Sequence, residues 1–306
     1  LPRNGLVGDF KREFKPLFKT LFKHLRVLNL SHNELPSKKG LPVQISACAS
    51  LTTLLLEGVG IGSVLPEDGL KLPNLQVLSL KTNKLKGDPS PAFKCSPKLR
   101  VLDLSENKFE GTIEKEWLAS LAGSIEKLDL SYNRFGGPVL TPDFCEKLGP
   151  TLQSLSLAGN QFVGKIPEAF GTQFKSLEVL HLDANEFSGV VPRTFFTGLK
   201  NIRRLWIEKN RLLGDAAAFD RLTSLRTLVI GENHFGEEMP HFPHLTYLRV
   251  LRMNECRFTG NAPTAHFQQM ACLNEFSIDG CRFMNQRSVD AAMKWAREAG
   301  IRTGRA

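Results

Sequence analysis

The chain has 306 residues, 40 of them Lys or Arg and 31 Asp or Glu, for a formal charge of +9. No apolar run approaches the roughly 20 residues of a membrane-spanning helix, and the opening "LPRNGLVGDF" lacks the charged-then-apolar layout of a signal peptide. Residues 1–40 hold nine Lys/Arg against three Asp/Glu and residues 281–306 six against two, so the ends carry +6 and +4 around a middle of −1; such basic ends suit an acidic partner or surface at the tips.

Along the first 24 residues, Phe10, Phe14, Leu17, Phe18, Leu21 and Phe22 recur at helical spacing among Lys11, Lys15, Lys19 and Lys23. This is a basic amphipathic helix. A membrane-surface or calmodulin-like role fits it, but it reads better as a helix covering the first strands of the chain.

From Leu25 a unit repeats at intervals of 23 to 27 residues, with starts at Leu25, Leu51, Leu75, Leu99, Ile125, Leu152, Leu177, Ile202, Leu225, Leu248 and Leu273. In "VLDLS" the alternation puts Leu102 and Leu104 on one face of a short strand and Val101, Asp103 and Ser105 on the other. One unit cannot bury its leucines alone, whereas stacked units share a continuous core with parallel strands about 4.8 Å apart. Length therefore counts repeats, and one elongated domain is expected in place of two ordinary ones.

Where each strand ends the chain turns inward, which buries backbone groups unless a side chain with donor and acceptor meets them. Asn33, Asn83, Asn107, Asn133, Asn160, Asn185, Asn210 and Asn233 form that ladder, with Cys256 and Cys281 in the last two copies. Val59 breaks it, predicting a local irregularity in the second copy. Two residues later comes an apolar position, with Phe109, Phe135, Phe162, Phe187, Phe235, Phe258 and Phe283 stacking as an internal spine. "LPRNGLVGD" reads as the tail of such a unit, with Asn4 on the ladder and Leu6 on the spine, so the chain is expected to begin inside a repeat of something longer.

The wording L-x-x-L-x-L-x-x-N/C-x-L resembles the leucine-rich repeat family over essentially the whole chain. The tails "GKIP" and "GVVP", Gly164–Pro167 and Gly189–Pro192, resemble the plant-specific subclass, which adds a short strand after the ladder turn; "GEEMP" and "GNAP" match more loosely and the second copy lacks the tail. The resemblance implies an α/β solenoid: a curved horseshoe with a parallel concave β-sheet and short helices or 3-10 segments on the convex side, over residues 1–287. Ser288 reads as the N-cap of a closing helix over 288–306, with a Val289, Ala292, Met293 and Ala296 stripe and Gly300 as its stop.

The six cysteines show no close pair or metal-ligand spacing. Neither a disulfide framework nor a zinc site is supported, which favours a reducing, intracellular or organellar compartment, the alternative being extracellular. No phosphate-cradling glycine loop, G-x-S-x-G or H-E-x-x-H is present; the "HFPH" pair, His241 and His244, and the sequon at Asn29 are weak signals. No cofactor, metal, small-molecule substrate or catalytic step is expected, and nucleic acid is disfavoured because basic and aromatic residues do not interleave on the sheet.

Specificity is then written on the open face of the sheet, whose central column reads Asn29, Leu55, Ser79, Asp103, Asp129, Ser156, His181, Trp206, Val229, Arg252 and Ser277. Trp206 is the centre of the expected partner-binding patch, with Arg204, Glu208, His181, Asp183 and Arg252 around it and Tyr132 further along, because Trp, Tyr and Arg dominate interface hot spots. The function expected is recognition of a protein or peptide by a receptor-like or scaffold protein. Two alternatives stand beside it: a structural subunit docked by its basic ends and convex side, and the ectodomain or regulatory domain of a larger receptor kinase.

Overall fold

The structure, a computed structural model, describes residues 3, 5–20, 24–94 and 96–304. Asn4, Leu21, Phe22, Lys23 and Cys95, together with the side chain of Lys19, lie outside the described residues. The chain divides into two compact units, Leu1–Gln161 and Phe162–Ala306.

In the first unit every repeat start is followed by a three-residue strand: Val27–Asn29, Thr53–Leu55, Val77–Ser79, Val101–Asp103, Lys127–Asp129 and Ser154–Ser156. These strands pair in parallel with their leucines in register, Leu28 beside Leu54, Leu78, Leu102, Leu128 and Leu155. Those leucines are almost fully buried, so the alternation read as one-sided does face a shared core. A second line of parallel strands, Gly62–Ser63, Lys84–Gly87, Lys108–Gly111 and Arg134–Pro138, follows the turns. The second copy has its extra strand although it lacks the Gly-x-x-Pro tail, because the neighbouring Lys84–Gly87 strand supplies the pairing. The outer side carries the 3-10 segments Val43–Ala47 and Ser90–Phe93 and the helices Lys115–Leu121 and Pro142–Leu148.

The amphipathic helix forms over Phe10–Lys19, capped by Asp9, whose carboxylate accepts from the Arg12 N–H at 2.7 Å. Phe10 and Phe18 are fully buried and Phe14 stacks on Phe10 at 5.2 Å. The helix packs on the Val43–Ala47 segment, so its apolar stripe faces the outer side of the first coils.

The second unit repeats the plan with Val179–His181, Arg204–Trp206, Thr227–Val229, Val250–Arg252 and Glu275–Ser277, all parallel. Its extra strands, Gln161–Gly164, Glu186–Val190 and Arg211–Leu213, give way after Leu213 to single bridges at Asp215–Gly236, Glu238–Thr259 and Gly260–Met284. On the outer side, the helices Glu168–Gln173 and Arg193–Gly198 approach so closely that a Cβ on Gly198 would sit 1.8 Å from the Gly171 carbonyl oxygen. No side chain larger than hydrogen fits there.

The residue before each ladder position is left-handed in all eleven copies, at His32, Gly58, Thr82, Glu106, Tyr132, Gly159, Ala184, Lys209, Glu232, Glu255 and Gly280. This turns the chain inward and aims the next side chain at the corner it must satisfy. Asn160 is typical: its amide donates to the carbonyls of Leu130 and Leu157, and its oxygen accepts from the Phe135 N–H at 3.1 Å. Asn33, Asn107, Asn133, Asn185, Asn210 and Asn233 likewise accept from the coil before them and donate within their own turn. At Val59 the strand stays in register with both neighbours. Val59 is buried; since each ladder oxygen accepts from the coil before it, the acceptor Val59 withholds is one for the first copy's corner at Leu35, while the second copy's own corner is met by Asn83, which accepts from Gly60 and Ile61 N–H at 2.9 Å. The thiols of Cys256 and Cys281 donate to the carbonyls of Ile230 and Met253. Burial pushes them up to about 12 and about 11 respectively.

Phe109, Phe135, Phe162, Phe187, Phe235 and Phe258 are fully buried. Phe283 is a correction: it is 65% exposed and Met284 is buried in its stead. The Met284 N–H closes a short turn onto the Cys281 carbonyl and Met284 bridges Gly260, so the last coil turns in one residue later. The closing helix is corrected too. It spans Gln286–Glu298 and its N-cap is Asn285, whose oxygen accepts from the Arg287 N–H, while the Ser288 hydroxyl accepts from Ala262 N–H and donates to the Asn285 carbonyl. Val289, Ala292, Met293 and Ala296 are its buried face, and beyond it Arg302 bonds the last strand through the Phe276 N–H.

Candidate partner-binding face

Strand pairing sets His181 directly beside Trp206, and Trp206 beside Val229. Register converts this into a stack, the imidazole and indole rings lying 4.0 Å apart between centroids and 14° from parallel. Trp206 is half-buried and not freely exposed, and Val229 beside it is fully buried. The open face of the sheet is thus less open than alternation alone indicates, since Ser79, Ser156 and Ser277 are also buried.

Two residues on, Asp183 Oδ1 lies 3.5 Å from His181 Nδ1, longer than an ordinary hydrogen bond. That oxygen is buried and has no hydrogen-bond partner. Glu208, one coil on, is half-buried, and loss of water raises its carboxyl above the usual value; Asp183 and Glu232 push the same way, against Lys209 and Arg252. Arg252 is committed: its guanidinium forms an ion pair with Glu275, both side chains largely covered. Arg204 is exposed.

The structure therefore sets His181 and Asp183 beside Arg204, Trp206 and Glu208, on or just after two adjacent strands of the second unit, with Arg252 two strands further on, beyond Thr227–Val229. Tyr132 belongs to the first unit, is 58% exposed, and has its ring over Gly159, where a Cβ would meet Tyr132 Cδ1 at 2.7 Å. In the first unit Asp103 and Asp129 of the column are locally satisfied, accepting from the N–H and hydroxyl of Ser105 and Ser131, whereas the buried Ser79 hydroxyl has no partner. Asn29 accepts from the Ser31 N–H in the same way.

One group was missed by reading the strands alone. Arg203, Arg226 and Arg249 occupy the residue just before three successive strands and, with Arg204, line a cleft of about 360 Å³ that also includes Glu178, Val179 and Thr227. The signal was an arginine recurring at intervals of 23 residues at the strand entry. Elsewhere His241 stacks on His266 at 4.3 Å, and His244 pairs with Asp220. Among the described residues no group of three or more His, Cys, Asp or Glu could hold a metal, and no helix is long and apolar enough to cross a membrane. Cys48, Cys145, Cys256, Cys272 and Cys281 are free thiols.

A "Leucine rich repeat" family model matches residues 49–109, 73–135 and 175–235, and a second model of the same repeat matches 24–48 and 151–173. Receptor-like protein 43 of Arabidopsis thaliana is 32% identical over 188 residues, 56% of this chain and 24% of the relative. Receptor-like protein 35 of the same plant is 36% identical over 186 residues, 56% of this chain and 19% of its own. The chain thus spans a quarter or less of the length of these relatives. Among solved structures, the Arabidopsis receptor kinase HAESA in complex with the peptide hormone IDA and the co-receptor SERK1 superposes with a TM-score of 0.72 at 26% identity, over 83% of this chain and 41% of that one. The plant peptide hormone receptor RGFR1 in complex with RGF2 shares the fold at 24% identity, with a TM-score of 0.70 over 91% of this chain and 51% of that one.

Proposed function

Because the chain belongs to the leucine-rich repeat family, we propose that this stretch is a recognition module that performs no catalytic step and takes a protein or peptide partner on the sheet face of its second unit. The observation that carries the reading is the His181–Trp206 stack, a large aromatic pair left half-buried on a sheet face with a buried, hydrogen-bond-free Asp183 oxygen beside it. A partner that covers the indole would take its remaining exposed surface out of water. Its similarity to plant receptor-like proteins and to a receptor kinase holding a peptide hormone supports an extracellular, receptor-like setting in preference to an intracellular one.

The test is Trp206→Ala in the natural partner's complex, measured by calorimetry. Binding is expected to weaken by about 2 kcal/mol or more, the scale of a hot-spot anchor, while the folded chain loses about 1 kcal/mol with the stack. A complex in which the partner covers the outer side or the two ends, leaving Trp206 in water, would instead favour a structural subunit.

A further inference from the structure

We infer that the arginine cleft at the strand-entry edge of the second unit holds an acidic segment of the protein partner, several Asp or Glu side chains in close succession. The inference rests on the reading that this unit's sheet takes a protein, and it adds which chemistry meets which edge.

Arg203, Arg226 and Arg249 are brought into line by the backbone. The Arg226 and Thr227 N–H groups donate to the Arg203 carbonyl, and those of Arg249 and Val250 to the Arg226 carbonyl. Successive guanidinium groups therefore rise from neighbouring strands, about 4.8 Å apart at the backbone. All four arginines are exposed. Only Arg203 has a carboxylate, Glu178 at 3.5 Å; among the described residues no side chain pairs with Arg204, Arg226 or Arg249. Several cations elsewhere are matched by a carboxylate of a neighbouring coil, as in Arg100–Glu126, Arg211–Glu186 and Arg252–Glu275. Three unmatched like charges on adjacent strands repel one another, and an anion relieves that repulsion.

The neighbouring surface selects the kind of anion. At the other end of the strands, in the turns that follow them, lie the carboxylates Asp183, Glu208 and Glu232. A nucleic acid or sulfated polysaccharide long enough to cross the sheet would run into them. The cleft itself is lined by Val179 and Thr227 and has no aromatic platform for a base. A short acidic stretch fits: in an extended chain alternate side chains repeat at about 7 Å, so two or three carboxylates span the row, each matched by a guanidinium fork.

The probe is fluorescein-labelled octaglutamate, followed by anisotropy at low salt. Arg226→Gln with Arg249→Gln is expected to weaken it about tenfold, two exposed pairs at about 0.7 kcal/mol each. Lys84→Gln with Lys108→Gln removes the same charge from exposed sites of the first unit and is expected to change affinity less than about twofold. Equal losses from the two double variants, absence of saturable binding, or tighter binding of a heparin octasaccharide or an octathymidylate than of octaglutamate would overturn the inference. Trp206→Ala separates this from the Trp206 reading: octaglutamate affinity retained in that variant supports an independent cleft, whereas its loss there would make the cleft no site of its own.

Discussion

Asn83 and Asn160 hold the same place in their repeats but do unequal amounts of hydrogen bonding. Asn160 accepts from one N–H of the preceding coil, whereas Asn83 accepts from two, Gly60 and Ile61. Leaving a buried donor unmet costs about 1–3 kcal/mol. Asn160→Leu is therefore expected to lower the unfolding free energy by about that amount, and Asn83→Leu by more, read from denaturant midpoints of the two variants. Equal midpoints would argue that water reaches the Gly60 corner. Glu208 makes a second case at this scale. Burial raises its carboxyl above the ordinary 4.5, so the folded chain holds that proton more tightly than the unfolded one. Stability tied to it is then present below the ordinary carboxyl range and lost as pH rises through the raised value. Glu208→Gln is expected to be more stable than the parent at neutral pH, with the gap closing as pH falls below the ordinary range. A gap independent of pH would show that the side chain ionises as it does in water. Which residues stand at these positions was legible from the Asn and alternation patterns. How much each one holds was not, since it depends on the coil 23 to 27 residues away.

At the scale of elements the place and register of the strands were legible, because a leucine every second position admits one register against a like neighbour, though the strand read through Ser105 ends at Asp103. The ends were not. Phe283 reads as spine by its offset from Cys281, yet the final turn closes Met284 onto the core and leaves the ring outside. Ser288 reads as a cap by its distance from the apolar stripe, but Asn285 comes first and its oxygen takes the Arg287 N–H. Asn285→Ala is expected to destabilise the closing helix by about 1 kcal/mol, seen as faster amide exchange over Gln286–Val289, whereas Ser288→Ala is expected to act through the Ala262 N–H it leaves unmet. The face followed the same rule. His181 and Trp206 were both placed on the open side, while their stacking comes from pairing with no signature in either repeat. Arg226 and Arg249 escaped notice because they precede the alternating stretch; Arg252 was noticed, but its commitment to Glu275 lies one coil on.

For the molecule as a whole, each coil is held by the coils next to it, so stability is a sum of near-neighbour terms. A lesion such as Asn83→Leu is expected to speed exchange in the strands Thr53–Leu55 and Val77–Ser79 and to leave Arg204–Trp206 as protected as before. The local character also explains why function was the least legible layer. Every repeat carries the same scaffold, and what distinguishes a binding face is the few variable side chains that successive coils happen to bring together. The thiols have a consequence of a different, chemical kind. With Cys145, Cys256 and Cys281 buried and held near 11 to 12, and Cys48 buried and raised as well, none is a thiolate at neutral pH. Alkylating reagents attack the thiolate. Among the described cysteines Cys272 alone is exposed, so of these a maleimide dye is expected to mark Cys272, an optical handle on the second unit.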